Sequence, residues 1–208
     1  MDSLNRIVVR GDGTFKRLPY SGKEVSAIGV VYPNSTILKR ARASELDLKQ
    51  LNQKESLKNY RYIHFSTHGL INETYPELSC LVLSKDTMNQ EDGLLHSYEI
   101  VDLDLQAELI VLSACETGLG RLINGEGVVG FVQAILNKDT PSLILSLWSV
   151  ADESTANLFT HFYQILKKNN GLEKQAALRK AQLAMIAKGG EWANPFYWGA
   201  FVFVGEGE

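Results

Sequence analysis

Two residues with the chemistry of a nucleophile and its proton carrier stand just past two runs that read as buried strands. His68 lies in Ser66-Thr67-His68-Gly69, directly after Tyr62-Ile63-His64-Phe65. Cys115 lies in Ser113-Ala114-Cys115-Glu116-Thr117-Gly118, directly after Leu109-Ile110-Val111-Leu112. In an open parallel α/β sheet, chemistry gathers beyond the carboxyl ends of the strands. A His and a Cys about 50 residues apart can therefore meet there. Their types suit acyl transfer: a thiolate attacks a carbonyl carbon, and the imidazole holds the thiol proton and passes it to the leaving amine. Gly69 leaves room for a substrate backbone, and its N–H can face the developing oxyanion. One such donor is worth about 3–4 kcal/mol of transition-state stabilisation. The residues read as a cysteine endopeptidase acting through Cys115 and His68 on a protein or peptide substrate. The competing reading is a catalytically silent scaffold that docks partners.

The other reactive side chains fit neither a metal nor a cofactor. His64 shares a strand face with His68 at best, and no clustered Cys or carboxylate completes a zinc site. His96 and His161 read as surface or amphipathic positions. Gly118-Leu119-Gly120 and Gly125-Glu126-Gly127 match no phosphate-binding loop and read as positive-φ positions after Cys115. Glu116 disfavours a thiolate beside it and receives no catalytic role. Cys80, in Cys80-Leu81-Val82-Leu83, reads as a small buried apolar residue. A redox switch at Cys115 lacks a resolving thiol, because the chain has only two cysteines. Trp192, Phe196, Tyr197 and Trp198 read as core cover.

Positioning the pair requires a sheet with helices on both faces, and the hydrophobic pattern supplies one. Strands are predicted at 6–10, 36–38, 61–67, 80–83, 109–114, 143–148 and 198–204. Helices are predicted at about 21–31, 44–56, 126–137, 153–168 and 172–188, with a short one at 97–102. Ser21-Gly22-Lys23-Glu24 fits a capping box for the first helix. In the last helix Leu172, Ala176, Leu183 and Ile186 keep register. Strands alternating with helices imply an α/β fold, a mostly parallel central sheet sandwiched between helices. Residues 1–208 read as a single domain.

The bulk numbers leave the same picture. The 208 residues are 45% hydrophobic and 22% charged, with a net charge of −3, so electrostatics give no case for nucleic acid or an anionic membrane as partner. No apolar run is long enough to span a bilayer, and no signal-peptide pattern opens the chain. Sparse cysteines suit a reducing cytoplasm.

The motifs, in their order, closely resemble the CHAT family, caspase-like domains best known from bacteria and often fused to tetratricopeptide repeats. The matching strings are Leu18-Pro19-Tyr20-Ser21-Gly22-Lys23-Glu24-Val25, His64-Phe65-Ser66-Thr67-His68-Gly69 and Asp92-Gly93-Leu94-Leu95. They continue with Leu112-Ser113-Ala114-Cys115-Glu116-Thr117-Gly118, Gly125-Glu126-Gly127, Leu147-Trp148 and Asn194-Pro195-Phe196-Tyr197-Trp198. The resemblance implies the caspase–hemoglobinase fold, shared with separase, clostripain and gingipain, and the Cys115 N–H as second oxyanion donor. It also implies activation by a partner such as a tetratricopeptide-repeat module. Four glycines between 116 and 127 suit a segment ordered by such a partner. Leu147-Trp148-Ser149-Val150-Ala151-Asp152 resembles the stretch of separase in which an acidic residue receives a basic P1 side chain. By that resemblance Asp152 binds substrate Arg or Lys; the alternative is an N-cap of the helix at 153–168.

Overall fold

A computed structural model of the chain describes residue 15 and residues 17–85, 91–113, 126–136 and 140–206. In chain order its elements are α1 (Ser21–Val31), α2 (Glu45–Gln53), β1 (Tyr62–Phe65), β2 (His68–Leu70), β3 (Cys80–Val82), β4 (Leu94–His96) and α3 (Ser97–Ile100). β5 (Leu109–Leu112), α4 (Glu126–Leu136), β6 (Ser142–Ser146), α5 (Asp152–Lys168), α6 (Lys174–Lys188) and β7 (Phe201–Gly205) follow. The main sheet has the order β1-β5-β6-β7; the first two pairings are parallel and the last antiparallel. β2, β3 and β4 form a separate antiparallel sheet.

β5 explains the layering. All four of its residues are buried, and successive side chains of a strand face opposite ways. Leu109 and Val111 join Ile144, five large side chains of α5 and the alanine-bearing face of α6 in one core. Ile110 and Leu112 join Leu143, Leu145, Phe131 and Ile135 of α4, Ile100 of α3, and Leu81 and Leu95 of the small sheet in the other. This is the expected α/β architecture, with a mostly parallel sheet between two covering layers.

Several local expectations give way to packing. Thr36-Ile37-Leu38 has no strand ladder among the described residues; three residues between a Pro33 turn and Arg40, at φ 55°, are too short to hold one. The core stripe of α6 is Ala177, Leu178, Ala181 and Met185, while Leu183 and Ile186 are exposed. The alanines let α6 lie close against α5, and that contact selects the face. His96 is buried, stacked on Tyr98 and bonded through Nδ1 to the Leu78 carbonyl, 3.0 Å away, rather than lying on the surface. Phe196 is exposed, whereas Trp192 and Trp198 cover the core. The strand at 6–10 lies outside the described residues.

One ion cluster fastens α2 to the small sheet. Lys49 Nζ lies 2.7, 2.9 and 2.8 Å from the carboxylates of Glu45, Glu91 and Glu99. Glu45 also accepts the Gly93 N–H, at a turn where φ is +81° and only glycine is unstrained. These three acids are near enough to share an ion, and the ammonium takes that place. Burial pushes the Glu45 carboxyl up to about 7, although Lys49 pulls the other way. An acid whose folded pKa exceeds its unfolded value, about 4.3, binds its proton more tightly when folded. Its contribution to stability is therefore complete below about pH 4 and is lost as pH rises through 7. In thermal melts from pH 5 to pH 8, the wild type is expected to lose about 2–4 °C more than Glu45→Gln. Parallel curves for the two proteins would refute this.

Candidate functional site

The site begins where two parallel strands stop side by side. In the β1–β5 ladder His64 faces Val111 and Phe65 faces Leu112. The Ser113 N–H donates to the Phe65 carbonyl at 2.9 Å, carrying the ladder one step further and setting Ser113 beside Ser66. His68 and Cys115 each follow by two residues. Cys115 itself lies outside the described residues, as do Glu116 and the glycines at 118, 120 and 125.

His68 does not end β1, as a strand through residue 67 would have it. The Thr67 hydroxyl donates to the Val82 carbonyl and draws the chain across to the small sheet. There His68 opens β2 opposite Val82, and Gly69, also buried, stands opposite Leu81. The imidazole is buried, with the Phe15 ring 5.5 Å away. A histidine held by a cross-sheet ladder on one side and a hydroxyl anchor just before it has little freedom to leave its place.

Asp152 approaches the same region from α5, but not as that helix's cap. Ala151 takes the N-cap position, and Asp152 is the first helical residue. Its Oδ2 accepts the Tyr20 N–H at 2.6 Å, so it caps α1. The capping box expected for α1 is accordingly not formed: no side chain of the segment caps Tyr20, and the Ser21 hydroxyl donates to the Leu18 carbonyl. Burial pushes the Asp152 carboxyl above its usual range, helped by the charge of Glu24; the N–H groups of Tyr20 and Ser21 and the imidazole of His68 pull it down. Asp152 is thus within electrostatic reach of His68.

Freed from capping, Glu24 turns inward. Its carboxylate is almost wholly buried and takes His64 Nε2 at 2.6 Å on one oxygen and the Ser66 hydroxyl at 2.9 Å on the other. His64 Nδ1 meets the Tyr163 hydroxyl at 3.2 Å, and Ser113 Oγ lies 3.3 Å from His64 Nε2. A ring protonated on Nε2 satisfies the Glu24 and Tyr163 contacts: Nε2–H donates to Glu24, and Nδ1 accepts from Tyr163, while Ser113 Oγ stands beside the same N–H. Sequence reasoning missed this cluster because the spacing of Ser21 and Glu24 offered a nearer explanation. The available signal was a polar alternation, His64 then Ser66, on a strand whose neighbours are apolar. Cys80 is fully buried, and burial pushes its thiol up to about 12; it is inert at neutral pH.

The family model for the CHAT domain matches residues 6–206. The chain belongs to the CHAT domain family. No curated protein matches it. The CHAT domain's mostly parallel sheet, with helices on both faces, agrees with the caspase-like fold of that family, which is related to cysteine peptidases. Among the described residues no helix is long and apolar enough to cross a membrane.

Proposed function

We propose that this CHAT domain is a cysteine endopeptidase working through a Cys115–His68 dyad in a reducing cytoplasm. The observation that supports it most is the placement of Ser66 and Ser113 directly after the last β1–β5 pair, Phe65 and Leu112, each two residues before one member of the dyad. The Cys115 thiolate attacks the scissile carbonyl carbon, forming a C–S bond, and the oxyanion is met by the N–H groups of Gly69 and Cys115. His68 delivers the thiol proton to the departing amine as the C–N bond breaks, and water then hydrolyses the thioester. A partner or associated module, such as a tetratricopeptide-repeat unit, activates the domain by ordering the glycine-rich segment after Cys115. The test is a thiol-directed peptidyl electrophile together with sequencing of new N-termini in a treated proteome. Labelling at Cys115 that is lost in His68→Ala, with new N-termini absent for Cys115→Ala, is the expected result. No labelling under any activating condition favours a partner-docking scaffold.

Asp152 supplies specificity in this reading, favouring Arg or Lys at P1. A carboxylate suits a guanidinium in a partly dehydrated cleft, and Asp152 already lies within the field of His68. Asn keeps an oxygen for the Tyr20 N–H, so Asp152→Asn separates charge from capping. A P1-varied peptide library should show basic residues preferred by wild type and that preference lost in the variant. Equal profiles would leave Asp152 as the α1 cap alone, and a wild-type preference for Leu, Met or Asp would overturn the assignment.

A further inference from the structure

Beside the ends of β1 and β5 lies a buried polar cluster that the proposed mechanism does not use. A carboxylate as deeply buried as Glu24 is costly unless its oxygens are paired, and well-packed apolar residues generally stabilise such a place as well or better. Glu24 is paired on both oxygens, and the pairs run in one direction. One oxygen holds Ser66, two residues before His68; the other holds His64, whose Nε2 also stands within 3.3 Å of Ser113, two residues before Cys115. The His64 ring cannot swing away. It is wedged edge-on against Phe159 at 5.2 Å and Tyr163 at 5.5 Å, and its far nitrogen is bonded to the Tyr163 hydroxyl.

The sheet alone does not provide this control. The last ladder bond, from the Ser113 N–H to the Phe65 carbonyl, sets the spacing of the strands, while Thr67 and the β2–β3 ladder hold His68 to the small sheet rather than to β5. The Glu24–His64 pair reaches the side chains one step beyond that bond, on the face covered by α1 and α5. Reacting groups misplaced by about 1 Å lose on the order of 100-fold in rate, so the last rigid residues before the dyad are where such a constraint has the largest effect.

We infer that the Glu24–His64 pair is a positioning unit for the dyad, fixing through Ser66 and Ser113 the relative placement of the two strand ends that carry His68 and Cys115. Glu24 and His64 touch neither substrate nor the reacting atoms. This rests on the endopeptidase reading, and its test separates the two. Glu24→Gln keeps the shape: the amide oxygen still accepts from His64 Nε2–H, and the amide NH2 can donate to Ser66. It loses the charge that tightens both bonds.

The experiment measures kcat and KM on a cleaved peptide, with kcat counted per active site titrated by the peptidyl electrophile, well below the melting temperature. For Glu24→Gln, kcat is expected to fall about 10- to 100-fold with KM within about twofold. Ser66→Ala, which leaves the Glu24–His64 bond in place, is expected to lose about 3- to 10-fold, and Ser66→Thr, which keeps the hydroxyl, to recover most of it. A merely structural cluster would lower the melting temperature and leave kcat per titrated site unchanged; that outcome overturns the inference. Should Glu24→Gln not fold, the Ser66 pair decides by the same criterion. A wild type that neither labels nor cleaves sinks the dyad and the positioning role together, whereas a labelled, active wild type with unaltered variants sinks the positioning role alone.

Discussion

Replacing Cys115 with alanine is expected to bring peptide cleavage down to background, a loss on the order of 10⁶ in kcat, the scale seen when a protease nucleophile is removed. The alanine has no atom that can form the acyl intermediate, so the residual rate reflects only binding and the oxyanion donors. His68→Ala is expected to be nearly as inactive, because the amine then leaves without a proton donor and the thiol keeps its proton. The two variants differ in stability. His68 is buried beside the Phe15 ring, so its truncation removes packing as well as chemistry and lowers the melting temperature by several degrees. Turnover assays with thermal melts check both. More than a few per cent of wild-type turnover in either variant would show that the dyad is wrongly assigned.

The largest effect on stability is expected from Phe159→Ala. Phe159 is fully buried in α5 and packs edge-on against Phe201 at 4.9 Å, Phe162 at 6.2 Å and His64 at 5.2 Å. Deleting such a ring costs about 3–5 kcal/mol through lost burial and the cavity left behind, which in a chain of this size lowers the melting temperature by roughly 6–20 °C. The same ring walls the His64 imidazole, so the surviving folded protein should also turn over more slowly per titrated site. Calorimetry and a denaturant titration give the first quantity, and site-normalised kcat the second. A loss below about 1 kcal/mol would mean that α5 is not the rigid wall described above.

What the sequence made legible was whatever one segment decides alone. β5 is apolar throughout and β6 carries Leu143, Ile144 and Leu145 in a row, which marked both as central strands, and Phe159, Phe162 and Leu166 announced a buried helix face by their spacing. Features decided by two distant segments were not legible. Ser21 and Glu24 form a persuasive local capping pattern, yet the cap comes from Asp152, and Glu24 is spent on His64. The break between Phe65 and His68 depends on the Val82 carbonyl in another sheet, which no local periodicity can signal. In α6 two stripes compete on hydrophobicity; the alanines win because close approach to α5 rewards small side chains, a preference that appears only when the neighbour is in place.

The hydrogen bond from the Tyr20 N–H to Asp152 joins residues 132 positions apart, and this has a consequence for how the protein is born. At a synthesis rate of about 5–20 residues per second, α1 leaves the ribosome roughly 7–26 s before its cap exists. Until then its first turn is unsatisfied, its partner helix is missing, and Glu24 lacks the wall formed by Phe159 and Tyr163 around His64. A nascent or prematurely ended chain can already carry both His68 and Cys115 while lacking the frame that aims them. The bond therefore orders the steps of maturation: the cap of α1 and the wall around His64 form only once α5 has been made.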